Sequence, residues 1–162
     1  KSLVHGGKLA GGMSAEVTNK GTFEKTRLTA SVKAADFESR SQKLTVERIE
    51  LSAETYLDPS DLQIKAKGRL KGIEIQGRAM EAADFDAESR GREVYGAVHI
   101  TEAPDRKYEA EYKASGLDTE EKLIEIPKIK LAFKDALFEN KRPISALLKN
   151  GGISVSSFNL YH

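Results

Sequence analysis

The sequence predicts an all-β fold in which antiparallel repeated hairpins form a large curved, groove-like sheet or an open barrel. Three observations carry this. Leu28, Ala30, Val32 and Ala34 alternate with Arg27, Thr29, Ser31 and Lys33, the pattern of a strand with one wet face. An apolar spacing of two, three and two occurs at Leu44, Val46, Ile49 and Leu51. It returns at Ile124, Ile126, Ile129 and Leu131, and again at Ile153, Val155, Phe158 and Leu160. At about 100° per residue these positions scatter around a helix, whereas a strand with one bulge or kink keeps them on one face. The composition is 39% apolar and 31% charged, which suits a wide single-layer sheet with much surface per residue.

Taken in order, Gly6, Gly7, Gly11 and Gly12 flank a short opening segment and read as turns or close backbone approaches. Residues 13–17 form a strand and Asn19-Lys20-Gly21 a turn. The strand at 28–34 leads through residues 35–41 into the first bent strand, 44–51, which Ala53 extends. Residues 57–61 turn around Pro59. Leu62, Ile64, Ala66, Gly68 and Leu70 share a face, Lys71-Gly72 turns the chain, and Ile73, Ile75, Gly77 and Ala79 return as a tight hairpin. A second hairpin pairs Val94, Gly96, Val98 and Ile100 with Tyr108, Ala110, Tyr112 and Ala114 across a turn at 103–106.

Interruptions are expected at Glu47-Arg48, Pro127-Lys128 and Ser156-Ser157, and Pro127 has no N–H to give a ladder. One short helix is expected near 143–149. Pro143 suits a first helical position, Gly151 follows the end, and Ile144, Leu147 and Leu148 share a face that must dock on the sheet. The chain also repeats itself. Ala34-Ala35-Asp36-Phe37 recurs as Ala82-Ala83-Asp84-Phe85, and residues 37–53 align without gaps onto 117–133. The unequal offsets describe duplicated hairpins with an insertion rather than a regular solenoid.

No catalytic constellation emerges. Twenty-six basic and 25 acidic residues leave a net charge of +1, which calls for neither nucleic acid nor an anionic surface. With no Trp, a base-stacking platform is disfavoured. The absence of Cys excludes disulfides and thiolate metal sites and decides no compartment. His5, His99 and His162 have no companion at metal-ligand spacing, and His99 reads as a solvated residue on a polar strand face. Residues 84–88 (Asp-Phe-Asp-Ala-Glu) lack an EF-hand register and read as a solvated acidic turn. No Gly-x-Ser-x-Gly, P-loop or Gly-x-Gly-x-x-Gly motif is present. The expectation is a non-enzyme with no catalytic residue, metal or cofactor.

Lys65, Lys67, Arg69 and Lys71 form a basic stripe. It would suit phosphate or lipid headgroups, but a wet strand face paired across strands with Glu109, Glu111 or similar residues is the favoured account. The apolar face is more informative. Val32, Ile49, Leu51, Ile64, Ile75, Val98, Ile100, Ile126, Ile129 and Leu131 would line it. Roughly ten such strands either close as a sandwich or barrel, or leave an open sheet whose apolar side needs a cover.

Three patterns together resemble the AsmA-like family of bacterial envelope proteins, which includes TamB. They are Gly7-Lys8-Leu9-Ala10-Gly11 leading into a strand; the Ala-x-Asp/Gly-Phe/Leu-Asp/Glu pattern at 34–38, 82–86 and 114–118, read as turns; and the bent strands after them. The resemblance implies a non-enzymatic periplasmic domain that handles lipid in phospholipid transport and outer-membrane homeostasis. Its partners would be phospholipid acyl chains and other envelope proteins, not nucleic acid. The resemblance also implies tethering to the inner membrane by an anchor outside these residues. No run approaches the ~20 apolar residues of a membrane span, and the sequence begins at Lys1. Residues 1–162 are therefore expected to be one β-rich domain, a piece of a longer protein. The rival expectation is a structural or protein-interaction module, a closed sandwich or barrel without lipid.

Overall fold

The computed structural model describes residues 7–9, 14–22, 25–39, 43–58, 61–156 and 158–162. Twelve strands form one open, curved antiparallel sheet. They are β1 (Gly7–Leu9), β2 (Ser14–Thr22), β3 (Lys25–Ser39), β4 (Leu44–Asp58), β5 (Asp61–Ile75) and β6 (Arg78–Arg90). They continue as β7 (Glu93–Ala103), β8 (Arg106–Ser115), β9 (Lys122–Phe133), β10 (Ala136–Glu139), β11 (Ile144–Lys149) and β12 (Gly152–Val155). Strands β3 to β9 pair in sequence order as a meander. At one end β1 and β2 share the outer edge of β3, and at the other β10 and β11 share that of β9. The sheet does not close on itself, as the open, curved sheet expected from sequence requires, so the closed barrel and the sandwich are not the architecture.

The recurring two-three-two spacing has a concrete cause. In β3 and β5, Asp36 (φ 53°) and Gly72 (φ 58°) adopt left-handed backbone inside the strands. Glu47 of β4 lies in the same row and is skipped in pairing with both neighbours. The row continues through Glu81, also skipped, to a register shift between Thr101 and Ala103 in β7. This crease crosses five strands. Because side chains alternate, one left-handed residue switches which parity is buried. On one side Ala34 is buried, and on the other Val46, Ile73 and Ser39 are buried.

In β9 the same task falls to a bulge. Glu111 pairs with Lys128 but Lys113 pairs with Glu125, so β9 carries one extra residue around Pro127. The third expected interruption is marked by the end of β12 at Val155, before Ser156; Ser157 lies outside the described residues.

Several local expectations are corrected. Residues 144–149 are strand β11, and no helix occurs among the described residues. Asn150 and Gly151, both at positive φ, make a two-residue hairpin loop closed by the Lys149–Gly152 pair. The Asn-Gly signal for a hairpin outweighs the helix-capping reading. As a strand, β11 buries Ile144 and sends Leu147 to the other side from Leu148, so the three do not share a face. Lys71-Gly72 is not a turn: β5 runs through it to Ile75, and Gln76-Gly77 turn the chain instead. Asn19 to Gly21 lie inside β2, paired with β3. Residues 34–38 and 82–86 lie within β3 and β6, so only the 114–118 copy is a turn, with Gly116 at φ 69°. Residues 84–88 are likewise strand, not an acidic loop. Met13, Pro59, His5, Gly6, Gly11 and Gly12 fall outside the described residues.

Candidate functional site: the two faces of the sheet

Cross-strand register sorts the side chains into rows, and the rows define two unlike faces. On one face, Lys33, Glu50, Arg69, Asp84, His99, Glu109, Lys130 and Glu139 stand directly beside one another across eight strands. Basic and acidic positions alternate along that row, with His99 in a basic place. Contacts include Arg69 Nε to Asp84 Oδ1 at 3.3 Å, His99 Nδ1 to Glu109 Oε1 at 3.9 Å and Lys130 Nζ to Glu139 Oε1 at 3.1 Å. Parallel rows add Lys65 to Glu88 at 3.5 Å and Lys128 to Glu111 at 3.4 Å. Such exposed pairs contribute ~0–1 kcal/mol each. Their alternation with apolar residues also fixes register, since a one-residue slip would set these charges opposite residues of the apolar face, Arg69 beside Ala83 or Phe85.

The local electrostatics follow from these neighbours. Arg90 beside Glu88, Lys113 beside Glu93 and the Tyr108 hydroxyl beside Glu102 hold these carboxyls below the ordinary glutamate range. Glu93 and Glu139 raise Lys113 and Lys130 in turn. The basic stripe is therefore part of a mixed-sign lattice. Its partners are on β4 and β6, among them Asp84 and Glu88; Glu109 and Glu111 instead face Lys130 and Lys128. A depression of ≈ 770 Å³ on this face is lined by Lys33, Glu50, Lys65, Lys67, Arg69, Asp84, Asp86, Glu88 and His99.

The other face is apolar. Val32, Leu51, Val98 and Ile129 stand in one row, with Gly68, Phe85 and Ala110 between them. Ile49, Ile100 and Leu131 stand in the next row, with Ala34, Leu70, Ala83 and Tyr108. Ile64 lies two rows to the other side, in register with Thr55. Ile126 sits at the β9 bulge and pairs with Ile144 of β11. Ile75 lies beyond the crease, beside Leu44 and Arg78, and is separated from the main group. Nine of the ten residues singled out from sequence thus share one continuous surface.

Sequence reasoning missed the alignment of small residues between the row of Val32 and the row of Ile64. Ala30, Ala53, Ala66, Ala87 and Gly96 form a row of small residues across β3 to β7. The Phe85 ring lies over Gly68 and the Tyr112 ring over Gly96, where a Cβ would collide with each. These aromatics lie along the sheet because their neighbours have no side chain, a cross-strand pairing no linear pattern announces. Ala30, Val32, Leu51, Ala53, Ala66 and Phe85 enclose a shallow hollow of ≈ 250 Å³.

No second layer covers this face among the described residues. Only Ala34, Val46, Ile73, Ala114 and Ile144 are buried apolar residues there. The accessible surface is 11768 Å², against about 8,000 Å² for a compact monomer of this mass. No cluster of His, Asp and Glu able to hold a metal, and no helix long and apolar enough to cross a membrane, occurs among the described residues. No family model, curated protein or solved structure matches the chain.

Proposed function

We propose that this chain is a non-enzymatic lipid-handling domain whose apolar face takes phospholipid acyl chains. The observation that supports this most is the apolar surface, uncovered among the described residues, continuous over β3 to β9 and backed by an opposite face rich in charge. A surface of this size is unfavourable in water, and each methylene it buries contributes about 0.8 kcal/mol. The small-residue row, between the row of Val32, Leu51 and Val98 and the row of Leu28, Thr55 and Ile64, gives an acyl chain a bed running across the strands. The AsmA-like and TamB-like resemblance leads to the same reading. It would add a periplasmic location, tethering to the inner membrane, a place in phospholipid transport and contacts with other envelope proteins.

The competing reading is a structural or interaction module whose apolar face is covered by another protein. It draws on the same exposed surface. The two separate on one substitution. Val98 lies in the middle of the apolar face, half-buried. Val98→Asp sets a carboxylate against hydrocarbon when lipid is bound, at a cost of several kcal/mol unless it is protonated. Mass spectrometry of organic extracts from purified protein, with circular dichroism as the folding control, reads the result. The proposal expects phospholipid in the wild type and its loss from a folded Val98→Asp variant. Lipid-free wild type from an envelope-exported preparation would overturn it.

A further inference from the structure

The sheet has two outer edges, and they differ. Strand β2 carries Glu16 and Lys20, the charged residues that commonly guard an edge. Strand β12 carries none. From Asn150 to Tyr161 the sequence contains no charged residue, although 31% of the chain is charged. It contains no Pro either. Ile153 and Val155 are 69% and 59% exposed. Among the described residues β12 pairs on one side only, with β11.

The hairpin geometry says which backbone groups are free. A two-residue loop makes Lys149–Gly152 a hydrogen-bonded pair, so Leu147–Ser154 is the next one. The Ser156 N–H donates to the Ser145 carbonyl at 2.8 Å, which continues that alternation. Ile153 and Val155 therefore turn their N–H and C=O groups to the open edge.

We propose that β12 pairs with β12 of a second copy of this chain, antiparallel, about a two-fold axis at Ser154. Ile153 then lies opposite the partner copy's Val155, and the reverse. Both pairs exchange N–H to C=O bonds, four in all. Ser154 faces its own counterpart at a non-hydrogen-bonded position, where side chains approach most closely. Such self-pairing sets each edge against its own charges, so an uncharged edge meets no repulsion. The axis stands perpendicular to the sheet, so both apolar faces stay on one side. With so short a strand the contact belongs to the small, transient class of interfaces.

The absence of native Cys permits a direct test with Ser154→Cys and, on the opposite edge, Val17→Cys. Paired non-hydrogen-bonded positions bring Cβ atoms within disulfide range. Under mild oxidation Ser154→Cys should form a disulfide dimer of twice 17.8 kDa, on the order of tenfold faster than Val17→Cys or more, because association raises effective concentration. Adding Ile153→Lys, at an exposed position, should remove that advantage while circular dichroism stays unchanged. Equal rates at the two edges overturn the proposal. So does faster reaction at Val17, or an advantage that survives Ile153→Lys.

Discussion

Gly72 is the position at which the crease is most open to perturbation. It holds φ 58° within β5, three residues before the strand ends, and the Glu47 side chain lies across the space a Cβ would occupy. Gly72→Ala therefore carries two costs. Placing a residue with a Cβ in left-handed backbone costs roughly 1–2 kcal/mol. Moving Glu47 aside adds less, because it is exposed and its carboxylate end can swing into solvent. For a chain of this length each kcal/mol lowers the melting temperature by about 2–4 °C, so the expected fall is roughly 2–8 °C. Thermal unfolding followed by circular dichroism measures it. Gly72→Ala combined with Glu47→Ala separates the two parts: the steric share returns and the backbone share stays. A Gly72→Ala protein that melts within about 1 °C of the parent would refute the claim that the crease depends on left-handed backbone at Gly72.

Three other outcomes are expected. Asn140 accepts from the Ile129 N–H at 2.6 Å and donates to the Pro127 and Arg142 carbonyls at 3.1 and 2.9 Å, bridging the β9 bulge; Asn140→Ala should cost about 1–3 kcal/mol in urea unfolding, and an unchanged midpoint would remove it from the account. Leu147→Ala should cost under about 1 kcal/mol, because the side chain is 36% exposed on a strand; a loss of ~2–5 kcal/mol would favour a buried, helix-like docking. The depressed carboxyls Glu88, Glu93 and Glu102 contribute stability above the ordinary glutamate value of about 4.3, lost as pH falls through their lower folded values. The raised Lys113 and Lys130 contribute below the ordinary value of about 10.4, lost as pH rises through their higher folded values. Melting temperature should therefore fall outside about pH 5–10, and a rise on going from about pH 6 to about pH 3 would contradict it.

The strands were legible because one face is wet. Alternation at 28–34 and 62–70 named the apolar side before any pairing was known. The crease and the β9 bulge were legible too, as parity changes in apolar spacing at Glu47 and Pro127. Its agent was not. Asp36 and Gly72 looked like turn residues, and in β3 and β5 they keep the same left-handed backbone without reversing the chain. Pro143, Leu147, Leu148 and Gly151 fit a short helix as well as a strand and its turn, and the pairing of β11 with β9 decides for the strand. On the apolar face, the strand sides of Ala30, Ala66 and Gly96 were legible, and their alignment into one row across strands was not. Ala53, Ala66 and Gly96 carry little hydrophobic signal alone, and their meaning comes from standing side by side across strands.

The account turns on which face of the sheet meets acyl chains. Val98 and His99 are neighbours in sequence and lie on opposite faces of β7. The chain has no native Trp, so Val98→Trp and His99→Trp each place a single indole on one known side. Fluorescence quenching by phospholipid carrying brominated acyl chains then reports contact with the lipid interior. The lipid-handling proposal predicts strong quenching for Val98→Trp and little for His99→Trp in folded protein. Equal quenching at both positions, or none at Val98→Trp, would contradict it.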